Sequence, residues 1–116
     1  MKTYRNSGAT HLLDALGDPT RRAIFEQLGE SPSAVVDLAE RLPVSRPAVS
    51  QHLKVLKEAG LVRDVQVGTR RVYSLDPDGL DGLRDYLERF WRTALHSFKT
   101  RVERETGDKE EGEPHA

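Results

Sequence analysis

The chain has 116 residues, of which 36% are hydrophobic and 32% charged, so it can form one small domain with a limited core. It contains no cysteine, which excludes disulfides, thiolate metal sites and cysteine nucleophiles. The formal net charge is only −1, but residues 45–75 carry six basic and two acidic residues, a local excess that suits a polyanionic partner. No apolar run approaches the roughly 20 residues of a membrane span, and no secretory signal precedes the first helix, so we expect a cytoplasmic protein.

Two short helices are predicted at the start of the chain. Leu12, Leu13 and Leu16 indicate a helix over residues 9–16. Asp18 and Pro19 are typical of a helix start, with aspartate as the N-cap and proline at the first helical position, where its missing N–H costs nothing. We expect this second helix to run to residue 28 and to stop at the following glycine.

A helix-turn-helix is predicted next. Four apolar residues fall at i, i+3, i+4 and i+7 on one helical face over residues 35–42, and Pro43 ends that helix. Ser45 is a good N-cap for a further helix from Arg46 to Ala59, and Gly60 is suited to a left-handed stop. Two helices joined by three residues form a helix-turn-helix unit.

The pattern then changes from helical to β-rich. Residues 62–67 and 70–75 are predicted to form a short hairpin with Gly68 and Thr69 in its turn. Asp76 and Pro77 repeat the helix-start pattern, and a long helix is expected to about Glu105. We expect one domain over residues 1–106 and a disordered, mostly acidic tail over 107–116. The predicted fold is mainly α with a small β-hairpin wing.

The predicted helix over residues 46–59 has two contrasting faces. On a helical wheel Val49, Leu53 and Leu56 lie on the apolar side. The opposite side carries no acid before residue 58, and its residues are of the kinds that read the major groove of DNA. This outward face is formed by Pro47, Ser50, Gln51 and Lys54. An ordinary amphipathic helix with a solvated polar face is the alternative.

The hairpin adds a second basic surface directly after this helix. Its tip carries Thr69, Arg70 and Arg71, which suit a phosphate or a minor groove. Helix, turn, helix and basic hairpin together describe a winged helix-turn-helix. His52 either packs against the core or contacts a phosphate, and the arginine pair at 21 and 22 either forms surface ion pairs or contacts the DNA backbone.

The last helix carries a long apolar stripe and four of the seven aromatic residues of the chain. Such a stripe exceeds what one small domain covers alone, and large apolar patches mark interfaces. An effector pocket is the less favoured use. We therefore expect a homodimer formed through the terminal helices, with an interface made by Leu12, Leu13, Leu16, Phe90, Trp91, Leu95, Phe98 and Val102.

Several segments together resemble the ArsR-type winged-helix repressors. They are ALGDPTRRAIF from residue 15, LAERL from residue 38, SRPAVSQHLKVL from residue 45 and AGLV from residue 59, and the resemblance covers about residues 9–105. It implies a homodimeric transcription repressor that an effector releases from DNA. It also places Ser45, Arg46, Ser50, Gln51 and His52 on the DNA-reading helix, and Arg70 and Arg71 on the wing.

The sequence departs from the metal-sensing members of that family. Those members carry cysteines near the third helix or Asp, His and Glu sets on the last one. Here the last helix has a single histidine, His96, and Asp85 is eleven residues away, about 16 Å along a helix. Zinc needs about four ligands, so we expect no metal site and no cofactor.

The function predicted from these observations is a sequence-specific DNA-binding transcriptional regulator. We expect a homodimeric repressor that binds an inverted repeat in double-stranded DNA, with an effector that the sequence does not identify. A winged-helix protein-interaction module that binds no DNA is the alternative. An enzyme is least favoured, because no paired carboxylates, glycine-rich phosphate loop or Ser/His/Asp set occurs at interpretable spacing.

Overall fold

The computed structural model describes residues 7–112, with side chains over 11–106. Its elements in chain order are α1 (Ser7–Ala15), α2 (Pro19–Glu30), α3 (Val35–Arg41), α4 (Arg46–Glu58), β1 (Val62–Val67), β2 (Arg70–Leu75) and α5 (Pro77–Gly112). The chain divides into two units, residues 1–84 and residues 85–116. The order of elements confirms the predicted winged helix-turn-helix.

The predicted N-cap residues of α2 and α4 form their capping hydrogen bonds in the structure. The Asp18 carboxylate accepts a hydrogen bond from the Arg21 backbone N–H at 2.8 Å, so it caps α2 ahead of Pro19. Ser45 Oγ accepts from the Ala48 N–H at 3.3 Å at the start of α4. Each cap satisfies a backbone donor that the helix itself leaves free.

The prediction that Gly29 stops α2 is wrong. The helix continues to Glu30 and leaves through Ser31, whose backbone is extended and whose N–H donates to the Gln27 carbonyl. No left-handed residue is needed there, so Gly29 stays helical, and a Cβ atom at this position would lie in ordinary contact with Leu75, at 3.6 Å.

Gly60, by contrast, has φ of +87° and ends α4 in the left-handed conformation, as predicted. It also makes a close backbone approach to α5. A Cβ atom on Gly79 would lie 1.9 Å from the Gly60 carbonyl oxygen, so the first turn of α5 fits against this bend only as glycine.

The wing is a two-stranded antiparallel hairpin in which Val62 pairs with Leu75 and Val67 with Arg70. Gly68, at φ +63°, forms its turn. Ser33 adds an isolated bridge that was not predicted from the sequence, and it exchanges backbone hydrogen bonds with Tyr73 at 2.9 and 3.0 Å. The hairpin is thereby joined to the segment between α2 and α3.

The core of the first unit is formed by buried residues from the helices, from the segment between α4 and β1 and from the first residue of β1. They are Leu12, Ala15, Ile24, Leu28, Leu38, Val49, Leu53, Leu56, Leu61 and Val62. Three of them come from one face of α4, so the core fixes which side of α4 faces outward.

The second unit is the continuation of α5 from residue 85. The helix extends to Gly112, whereas the sequence analysis expected its end near Glu105. Residues 113–116 lie outside the described residues, and the division into a domain over 1–106 and a disordered tail stays a prediction.

Candidate nucleic-acid interface

The outward side of α4 carries the residues that the sequence analysis assigned to DNA reading. Val49, Leu53 and Leu56 are fully buried on the inner side. The opposite side is exposed along the helix and carries no carboxylate before Glu58, the last residue of α4. We call it the reading face: Ser45, Arg46, Pro47, Ser50, Gln51 and Lys54.

His52 lies at the edge of the reading face and is half-buried. It is close enough to Asp18 for its charge to favour the ionised carboxylate. The Arg21 N–H bond is the main cause that lowers the pKa of Asp18, and the charges of Arg21 and His52 lower it further. His52 therefore lies beside the N-terminus of α2, an arrangement that fits the packing role.

The arginines at positions 21 and 22 form no salt bridge among residues 11–106, and their contact with the DNA backbone stays a prediction. Arg21 Nε donates to the Ala15 carbonyl and an Arg22 Nη donates to the Leu16 carbonyl, both at 2.7 Å. They satisfy carbonyls at the end of α1, where cations interact favourably with the helix dipole.

The wing arginines are exposed, but each is paired with a carboxylate. Arg70 Nη2 lies 2.6 Å from Asp37 Oδ2, and the Arg70 side chain is 53% exposed. Asp37 also accepts the Ala34 N–H at 3.0 Å at the start of α3. Thr69 is exposed beside Arg70 in the hairpin turn. The Asp37–Arg70 pair thus connects β2 to the first helix of the helix-turn-helix.

Asp64 on β1 is the most buried carboxylate of the salt bridges in residues 11–106, with a side chain only 5% exposed. Its two oxygens bind Lys57 of α4, at 2.7 Å, and Arg71 of β2. Asp64 and Arg71 are diagonal neighbours on one face of the hairpin. Their two cations remain more than half exposed, so the carboxylate lies beneath them.

These contacts keep both carboxylates ionised. Side-chain hydrogen bonds from Lys57 and then Arg71 lower the pKa of Asp64, against the opposing effect of burial. The Ala34 N–H is the main cause that lowers the pKa of Asp37, and Arg70 adds to it. At neutral pH Asp37 and Asp64 are therefore anions within a basic surface.

Sequence reasoning missed Asp37, Lys57 and Asp64. Strand alternation was the usable signal for one of them, because Val62 and Asp64 must share the inner face of β1 once Val62 is in the core. The pairing of Asp37 with Arg70 links residues 33 positions apart, and no local pattern predicts it.

The continuation of α5 exposes large apolar side chains. Phe90 is 58%, Trp91 63% and Phe98 61% exposed. The rings of Tyr86 and Phe90 stack with centroids 6.5 Å apart. We call this set the α5 stripe: Leu87, Phe90, Trp91, Leu95, Phe98 and Val102.

The leucines of α1 that were predicted at the dimer interface lie in different environments. Leu12 is 7% exposed and belongs to the core of its own chain, and Leu16 packs against that core. Leu13 is 38% exposed. Of these three leucines, Leu13 is the most exposed, and their place in a dimer interface stays a prediction.

Metal ligands are not gathered anywhere among residues whose side chains are described, since no three His, Cys, Asp or Glu side chains come together there. His96 lies beside Ser97, Thr100, Arg101 and Arg104 on α5, a basic surface poorly suited to a cation. Within the described ranges, no helix is both long enough and apolar enough to cross a bilayer.

The fold and the exposed basic α4 face define a winged helix-turn-helix of the DNA-binding class. A family model described as a helix-turn-helix domain matches residues 16–65. The chain is 56% identical over 108 residues to the HTH-type transcriptional regulator Rv2034 of Mycobacterium tuberculosis, covering 93% of this chain and 99% of that protein.

A further relative and a solved structure that are similar to this chain are also transcription regulators. The HTH-type transcriptional repressor SmtB of Mycobacterium tuberculosis is 48% identical over 67 residues, which is 58% of this chain and 50% of that protein. The solved ArsR-like transcriptional regulator from Rhodococcus sp. RHA1 is 35% identical with a TM-score of 0.69, covering 81% of this chain and 92% of that one. The chain belongs to the ArsR-type winged helix-turn-helix transcription regulators, and the predicted function as a DNA-binding transcriptional regulator is confirmed.

Proposed function

We propose that the protein is a homodimeric repressor that binds an inverted repeat in double-stranded DNA through the reading face of α4. The reading face itself carries the proposal. Its side chains are of the kinds that read the major groove. The helix that carries them is held firmly in place, because Val49, Leu53 and Leu56 anchor its opposite side in the core. A regulator that acts on the chromosome works in the cytoplasm, where we expect this protein.

Side-chain chemistry separates the residues that read bases from those that bind phosphates. Ser50 and Gln51 are short donors and acceptors at the centre of the face and read base edges. Arg46, Lys54 and the wing residues from Thr69 to Arg71 bind phosphates, which fixes orientation and carries no direct sequence information. His52 supports α4 from its half-buried position and contributes at the rim of the interface.

Dimerisation is supported by the exposure of the α5 stripe. Three aromatic side chains that are each more than half exposed form a patch that water solvates poorly, and a second copy of the same helix offers a complementary surface. Leu13 of α1, which is 38% exposed, is the second element of the interface that we propose. A dimer presents two reading faces at once, which suits half-sites about 34 Å apart.

Repression is the direction favoured by the resemblance and by the similarity to SmtB, a transcriptional repressor. A dimer seated on its operator blocks the polymerase by occupying the DNA. The absence of cysteine argues against an effector metal bound by thiolates, and the basic surroundings of His96 argue against one bound by that histidine.

Replacing Gln51 with alanine tests the reading face. We expect Gln51→Ala to cost about 1–3 kcal/mol at one base position and to change the preferred sequence there, because a bidentate side chain is lost. Arg70→Ala should instead weaken binding to all sequences to a similar extent. Binding of each variant to a panel of single-base operator variants measures both effects.

Equal and sequence-independent losses from Gln51→Ala and Arg70→Ala would contradict this assignment. Val55→Ala is a suitable control, because Val55 is on α4 but outside the reading face and is 37% exposed. It should leave the base preference unchanged.

A further inference from the structure

Two carboxylates lie beside the proposed DNA-binding surface, where negative charge is unfavourable. Asp37 and Asp64 are held ionised beside the basic wing, and a polyanion is repelled by acids at its binding surface. Each of them joins the wing to the helix-turn-helix: Asp37 joins β2 to α3, and Asp64 joins β1 and β2 to α4. We call these contacts the wing bridges.

In the contacts of Asp64, the carboxylate is buried and its two cationic partners are exposed to solvent. The carboxylate is 5% exposed, whereas Lys57 and Arg71 are 55% and 54% exposed. A guanidinium has five N–H donors in a fixed plane, so pairing with a carboxylate below it leaves donors for a phosphate above it. The buried acid orients the cations without being presented to the solvent itself.

Resting on the proposed function, we infer that Asp64 is a positioning residue for DNA binding, which fixes Arg71 of the wing and Lys57 of the recognition helix in one phosphate-binding arrangement before DNA arrives. Long cationic side chains lose rotamer freedom when they bind a phosphate, and a side chain already held in place loses less. Asp37 holds Arg70 in the same manner, but it also caps α3, so Asp64 gives the cleaner test.

The proposal predicts that replacing Asp64 weakens DNA binding, whereas the change in net charge alone would strengthen it. Asp64→Asn removes one negative charge, and electrostatics alone should tighten binding to every duplex. If Asp64 positions the cations, the variant should bind the selected operator about tenfold more weakly, since a charge-assisted hydrogen bond contributes about that factor. The slope of log affinity against log salt should become shallower by about one for each phosphate contact that is lost.

Glu58→Gln is the matched control. Glu58 is the next residue along α4 from Lys57, is exposed, and forms no salt bridge with any residue whose side chain is described. This variant removes the same charge near the same surface without touching a bridge. It should bind both the operator and a scrambled duplex slightly more tightly than the wild-type protein.

A mutant cycle over three residues separates positioning from a general loss of structure. Asp64→Asn is measured in the wild-type background and in one carrying Lys57→Gln and Arg71→Gln, with thermal unfolding of every variant recorded. The proposal predicts that the loss of operator affinity disappears in the second background, where no cation remains to be positioned. A similar loss in both backgrounds, or tighter operator binding by Asp64→Asn alone, would overturn it. Failure of the wild-type protein to bind any duplex would instead contradict the proposed function.

Discussion

Trp91→Ala and Phe98→Ala are each expected to dissociate the dimer and to abolish tight operator binding, although neither residue lies on the reading face. Both side chains are more than 60% exposed in the chain alone, and in the proposed dimer the second copy buries them. Truncating a buried Phe or Trp to alanine costs about 3–5 kcal/mol, and a two-fold interface contains each residue twice. Sedimentation at micromolar concentration, combined with operator binding, measures the outcome.

Thr93→Ala is the control for this prediction. Thr93 is exposed on the same helix and lies about 200° from Trp91 around the helix, away from the α5 stripe. It should leave both assembly and DNA binding unchanged. A wild-type protein that sediments as a monomer and still binds a palindrome tightly would contradict the proposed interface.

Leu53→Ala is expected to reduce the free energy of unfolding by about 2–5 kcal/mol. Leu53 is fully buried and comes from the inner side of α4, so its removal leaves a cavity directly beneath the reading face. A domain this small has only about 5–15 kcal/mol of stability in total, so the loss is a large fraction of it. Chemical denaturation of the wild-type protein and the variant gives the difference.

Val55→Ala provides the comparison within the same helix. Its side chain is 37% exposed, and a surface change of this kind costs about 0.5 kcal/mol or less. If Leu53→Ala and Val55→Ala destabilised the protein equally, the description of α4 as a helix anchored by one apolar face would be wrong.

Features set by neighbouring residues were predictable from the sequence. The caps at Asp18 and Ser45, the left-handed stop at Gly60 and the hairpin turn at Gly68 each depend on one or two residues, and the structure confirms them. Gly29 is the exception. A glycine permits a left-handed stop but does not require one, and the extended conformation at Ser31 ended α2 instead.

Features that depend on distant residues were not predictable. The inner position of Asp64 follows from strand alternation, but its pairing with Lys57 requires the hairpin to fold back beside the end of α4. The close approach of Gly79 to Gly60 and the hydrogen bonds from Arg21 and Arg22 to the end of α1 likewise appear only when helices are packed. The reading face was predictable because the exposed residues and the buried residues opposite them lie on one helix, so their spacing in the sequence places them.

The most direct test of the central claim is selection of bound duplexes from a random pool, followed by titration of the selected DNA at several salt concentrations. We expect the full chain to select an inverted repeat with half-sites about one helical turn apart. Its affinity should fall steeply with salt, by about 10³–10⁵ between 50 and 200 mM if six to ten phosphates are contacted. If no duplex were bound above background at low salt, the protein would not be a DNA-binding repressor, and a winged-helix protein-interaction module would replace that account.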